Sequence, residues 1–133
     1  MKQILAFFAL LFLAAAPASA AASVEGRWTN PKRSVILEVG RCGEAYCGTV
    51  VWATAKAKAN AREGGTQNLI GTRLVTGARP IGNGVYKGRG FVPKQNIHSS
   101  ATIRQTGPNT MLVKGCALAG LVCKEQRWTR VTS

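Results

Sequence analysis

The chain has no aspartate. Its five acidic residues are Glu25, Glu38, Glu44, Glu63 and Glu125, and its only histidine is His98. A nucleophile–base–orienter arrangement would therefore need a glutamate as orienter, and acid–base carboxylate pairs would have to come from scattered glutamates. Glu38 is placed where it could face an interior, but nothing in the sequence pairs with it. His98, in Asn96-Ile97-His98-Ser99-Ser100, reads as a surface or edge-strand residue. The sequence thus offers no catalytic residue and calls for no cofactor. Gly82-Asn83-Gly84 and Gly88-Arg89-Gly90 lack the strand-to-helix context that a phosphate loop requires. Long apolar runs are also missing. Ile4–Ala16 covers thirteen residues, short of the roughly 18–20 that span a bilayer.

That short run has the layout of an export signal. Met1-Lys2 supplies positive charge, Ile4–Ala16 an apolar stretch, Pro17 a break, and Ala18-Ser19-Ala20 a small-x-small cleavage site. Residues 1–20 are expected to be a signal peptide cleaved after Ala20, with Ala22 the second choice. Residues 21–133 are then one domain, exported to the periplasm or secreted, and not membrane-spanning.

Loss of Lys2 would leave 17 basic residues against five glutamates, a charge of +12. Such a surface is drawn to lipid headgroups, anionic envelope polymers or nucleic acid, and equally suits a soluble protein with no specific partner.

Cys42, Cys47, Cys116 and Cys123 are an even set in an exported chain, which reads as two disulfides out of three possible connectivities. The local pairs Cys42–Cys47 and Cys116–Cys123 are favoured, because each encloses a short segment with glycine. Neither spacing suits zinc, so no metal site is expected.

The remaining pattern is strand-like. Strands are expected over 25–30, 34–41, 47–53, 71–77, 84–92, 97–106, 110–116 and 122–131. Residues 80–84 and 107–109 are turn clusters. Residues 54–67, rich in alanine and lysine and stopped by Gly64-Gly65, read as a long loop with one helical turn. Eight short strands in sequence point to a closed antiparallel barrel or a sandwich. If the sheet closes, its first and last strands become neighbours, and an arginine of the last strand can lie on the Trp28 indole. Trp128 and Arg130 share a face by alternation.

Gly26-Arg27-Trp28, the Cys42–Gly48 segment, Val50-Val51-Trp52 and above all Gly115-Cys116 through Cys123 to Gln126-Arg127-Trp128-Thr129-Arg130-Val131 resemble the bacterial exported family catalogued as domain of unknown function 2147. The resemblance spans about residues 24–131. It implies an all-β, eight-stranded, up-and-down lipocalin-like barrel with no established enzymatic activity. It also implies barrel closure by Trp28 with Arg130 or Arg127. The family's Asp and Asn-Pro motif before the fourth strand is absent here, where residues 63–71 read Glu-Gly-Gly-Thr-Gln-Asn-Leu-Ile-Gly.

A small barrel either holds one ligand or is filled by its own side chains. The leading expectation is a binding protein of the cell envelope. Its ligand would be a fatty acyl or other anionic amphipathic small molecule, or an envelope lipid. Leu37, Val50, Trp52, Leu74, Val85, Ile103, Val113 and Trp128 would line the interior, and Lys56, Lys58 and Arg62 would form a basic rim. Trp52 reads as either core or lining. The alternative is a filled barrel that binds another exported protein, such as a hydrolase. Nucleic-acid binding is not expected, since the compartment is wrong and only Tyr86 and Phe91 stand as candidates for base stacking.

Overall fold

β-Branched and aromatic residues favour extended chain, and tight Gly and Asn turns return it on itself. In the computed structural model, which describes residues 23–132, this produces β1 (Gly26–Thr29), β2 (Val35–Cys42), β3 (Ala45–Ala53), α1 (Ala55–Glu63), β4 (Arg73–Gly82), β5 (Val85–Val92), β6 (Ile97–Gln105), β7 (Thr110–Ala117) and β8 (Val122–Arg130). Each strand pairs antiparallel with the next, and β8 returns to β1 to close an eight-stranded up-and-down barrel. The expected export signal lies outside the described residues.

The connections fall alternately at two ends. At the end shared with the chain termini they are tight. The β4–β5 hairpin turns on Asn83-Gly84 alone, with φ of 55° and 71°, the pair of left-handed positions that a two-residue hairpin of this twist requires. β4 therefore runs on through Pro80 to Gly82, beyond its expected end at Gly77. Both disulfides are local, Cys42–Cys47 joining β2 to β3 and Cys116–Cys123 joining β7 to β8.

The segment expected to be a loop with one turn is instead a nine-residue helix. Thr54 caps it by accepting a hydrogen bond from the Ala57 amide at 3.1 Å, and alternate alanines support it by their high helix propensity. Ala57 and Ala61, four apart, face the barrel, and Ala61 is buried. The helix ends at Gly64, where a Cβ would overlap the Pro93 carbonyl of the β5–β6 turn. That close approach sets α1 beside one end of the barrel.

The core runs inside the barrel: Trp28, Leu37, Val39, Val50, Val75, Ile103, Met111 and Trp128, extended by Ala61 and Leu69 from the α1 region. Among the described residues no polar or charged side chain is buried.

Candidate ligand cavity and its mouth

The two ends of the barrel are built differently. At the terminal end the guanidinium of Arg130 lies 4.3 Å from the Trp28 ring centroid. Its Nε donates to the Pro108 carbonyl at 2.8 Å, and its two Nη groups donate to the carbonyls of Glu25 at 2.7 Å and Ser23 at 2.8 Å. Trp28 Nε1 donates to the Val24 carbonyl at 2.9 Å. Arg130 thus ties three segments over a buried indole and plugs this end. Arg127, the alternative for this role, lies exposed on β8 opposite Leu112. It is one residue out of phase with Trp128 and Arg130, so alternation turns it outward.

Tyr46 and Tyr86 meet edge to face nearby, with centroids 5.5 Å apart. Burial raises the Tyr86 pKa above its usual value, with Tyr46 and Glu25 adding to the shift. Tyr86 packs against the core beside Ile103 and is not a free stacking platform. Phe91 lies against His98, 4.9 Å between centroids, on the outer face. Glu38 is also outside, ion-paired with Arg27 at 3.2 Å.

Toward the other end the inner face changes character. Gly90, Ser99, Ala101 and Gly115, all small, occupy inward positions on β5, β6 and β7. A Cβ at Gly90 would come within 2.7 Å of Ser99 Oγ, so this wall is packed within itself while leaving the interior open. The result is a cavity of about 1000 Å³ that opens beside α1. Apolar side chains dominate it, including Val35, Leu37, Leu74, Ile103, Val113 and Trp128. A barrel filled throughout by its own side chains, the alternative raised above, is not what the chain builds.

Three of the expected lining residues are placed otherwise. Val50 is 1% exposed and packs in the core below the cavity. Trp52 is 46% exposed and points outward. Leu37 pairs with Val50 and Ile36 with Trp52, leaving Val51 as an extra residue. This bulge reverses the alternation beyond Val50, so Ala53 rather than Trp52 turns inward. Val85 pairs with the exposed Arg104, while its neighbour Tyr86 pairs with buried Ile103. The inward phase of β5 is thus Tyr86, Gly88 and Gly90, and Val85 lies outside.

Of the expected basic rim, Lys56 lines the mouth, but Lys58 and Arg62 do not. On a helix the barrel-facing stripe is Lys56, Ala57, Asn60 and Ala61, and residues 58 and 62 fall to its side. Lys32 from the β1–β2 connection, Lys94 from the β5–β6 turn and Lys124 from β8 also stand at the mouth, and Lys114 of β7 is a further lysine of the lining. The lining contains no carboxylate, histidine or cysteine. Sequence reasoning missed these lysines because they lie on separate connections and strands, and only barrel closure brings them together.

A closed eight-stranded up-and-down barrel with one plugged end, a flanking helix and an interior cavity is a lipocalin-like fold. The solved structure of protein HP1028 from Helicobacter pylori, described as belonging to the lipocalin family, matches with a TM-score of 0.65 over 84% of each chain at 10% identity. No curated protein matches in sequence. The chain belongs to the family described as "Uncharacterized protein conserved in bacteria (DUF2147)", whose model matches residues 26–130. Among the described residues no helix is long and apolar enough to cross a membrane.

Proposed function

We propose that this protein is a non-enzymatic binder of an anionic amphipathic small molecule, of fatty-acid type, acting in the cell envelope after export. One observation carries the reading: an apolar cavity opens through a mouth ringed by Lys32, Lys56, Lys94 and Lys124 with no carboxylate among its lining residues. Its volume of about 1000 Å³ is at the upper end of small-molecule sites. An acyl chain is favoured in the interior because it loses contact with water there, at about 25 cal/mol per Å² buried. Its headgroup then meets lysine ammonium groups at the opening. The two disulfides are compatible with an oxidising compartment.

Brominated fatty acid provides the test, since bromine quenches a nearby indole. In a Trp52→Phe variant the remaining indoles are Trp128, which lines the cavity, and Trp28, which is fully buried beneath Arg130. Stripped of lipid, that variant should show saturable quenching by brominated palmitate, abolished by excess unlabelled palmitate. Lys56→Glu with Lys94→Glu should weaken palmitate binding at least tenfold while sparing the corresponding alcohol, a difference of about 1.4 kcal/mol. Absence of saturable quenching would end this reading.

A further inference from the structure

We infer that the mouth end of the barrel docks on an anionic lipid bilayer, with the β7–β8 hairpin tip inserted among the lipids. The tip, Ala117 to Val122, is held by the Cys116–Cys123 disulfide at its base. Leu118 is 72% exposed and Leu121 85% exposed, with Val122 beside them also exposed. Exposed singly, such residues need no explanation, but three at one protruding tip form a patch. The backbone there is unusual for its sequence. Leu118 and Ala119 have φ of 53° and 55°, and the Gly120 amide donates to the Ala117 carbonyl at 3.2 Å. Hairpins usually give these two positions to Asn and Gly, which tolerate the left-handed region. Here the strained turn carries leucine and turns it to solvent.

The surroundings specify a bilayer over a protein partner. The tip itself carries no charge, and Lys124 follows it. The other connections at this end bring Lys32, Arg33, Lys56, Lys58, Arg62 and Lys94, against one carboxylate, Glu63. An apolar prong within a cationic ring matches the acyl layer and anionic headgroup plane of a lipid surface, where each basic residue adds to attraction and each buried leucine to insertion. Ala117 and Val122 also line the cavity. Docking would therefore put the cavity mouth at the membrane surface. This inference does not depend on what the cavity holds.

Co-sedimentation tests it, using lipid-stripped protein as the host processes it. Vesicles of phosphatidylglycerol with phosphatidylethanolamine should bind the protein, and vesicles of phosphatidylcholine should bind it at least about tenfold less. Leu118→Asp with Leu121→Asp should lower binding at least about tenfold. It should leave the melting temperature unchanged, because both side chains are already in water. Salt at about 0.5 M should release most of the bound protein, since screening then acts within a few ångström. A Leu121→Trp variant should give blue-shifted emission with the anionic vesicles. Equal sedimentation of the aspartate variant and the unmodified chain, or no blue shift from Trp at 121, overturns the inference. So does a chain that ignores vesicles and instead retains one stoichiometric envelope protein through the same tip. Loss of palmitate binding with vesicle binding intact would count against the proposed ligand alone.

Discussion

Replacing Arg130 by methionine should be strongly damaging at the plugged end, although the side chain is only half-buried. Its stack on Trp28 is worth about 0.5–2 kcal/mol. Its three hydrogen bonds to the carbonyls of Ser23, Glu25 and Pro108 are charge-assisted. Each would contribute about 1.5–3 kcal/mol if fully buried, and water competes for them here, so the lower end applies. The contributions are not additive, and we expect Arg130→Met to cost about 2–4 kcal/mol. In a domain of this size that lowers the melting temperature by about 10–15 °C. Arg130→Lys should recover less than half, because an ammonium reaches one carbonyl and cannot stack as a plane.

Gly26 supplies an internal control. It sits at φ 127°, and a Cβ there would come within 2.5 Å of an Arg130 Nη atom. Gly26→Ala should therefore cost backbone strain plus displacement of Arg130, whereas in the Arg130→Met background only the strain remains. A double-mutant cycle by urea unfolding, with the disulfides intact, should return a coupling of at least about 1 kcal/mol. Palmitate binding should survive, because the cavity opens at the other end. The argument fails if Arg130→Met melts within about 3 °C of the unmodified chain, or if Gly26→Ala costs the same in both backgrounds.

Trp52→Ala should cost under about 1 kcal/mol and Val50→Ala about 1–3 kcal/mol by chemical denaturation, despite the larger indole; the reverse order would remove the bulge at Val51. Val113→Trp should fill the cavity and weaken palmitate binding at least about tenfold without lowering the melting temperature, since it enters open space rather than packed core. Tyr86 has a folded-state pKa above its unfolded value of about 10. Its contribution is therefore complete below pH 10 and declines as pH rises toward the folded value. Alkaline unfolding followed by tyrosinate absorbance should show this decline, and Tyr86→Phe should flatten it. Replacing Cys116 and Cys123 by serine should cost about 2–2.5 kcal/mol by the chain-entropy model, measured as a shift in urea midpoint.

The sequence made the strands legible because β-branched residues and Gly or Asn turns act locally. The helix is harder to read: its alanines and lysines lack a strong apolar stripe, and Thr54 as a cap is the available signal. Inward and outward faces were harder. A single residue of bulge at Val51 reverses everything after it, and no composition rule marks where a ladder takes up an extra residue. Val85 is the complementary case: an apolar residue beside tyrosine looks like the one to bury, yet its neighbour Tyr86 takes the inward place. The cavity itself was silent in the hydrophobic pattern. It is created by what Gly90, Ser99 and Gly115 fail to fill, and glycine or serine in a strand reads as weakness rather than as space.

The mouth lysines were hidden for a different reason, and that reason bears on function. In an up-and-down barrel alternate connections gather at one end, so residues as distant in sequence as Lys32, Lys56, Lys94 and Lys124 become neighbours through topology alone. The opposite end receives tight turns and the Arg130 plug. Stability and recognition are thereby assigned to different ends of the same eight strands. Changes to Lys56 or Lys94 should move affinity and leave the melting temperature in place, and changes to Arg130 or Gly26 should do the opposite. A variant at either end that moved both quantities together would mean that the cavity and the plug communicate through the core they share at Leu37, Ile103, Met111 and Trp128.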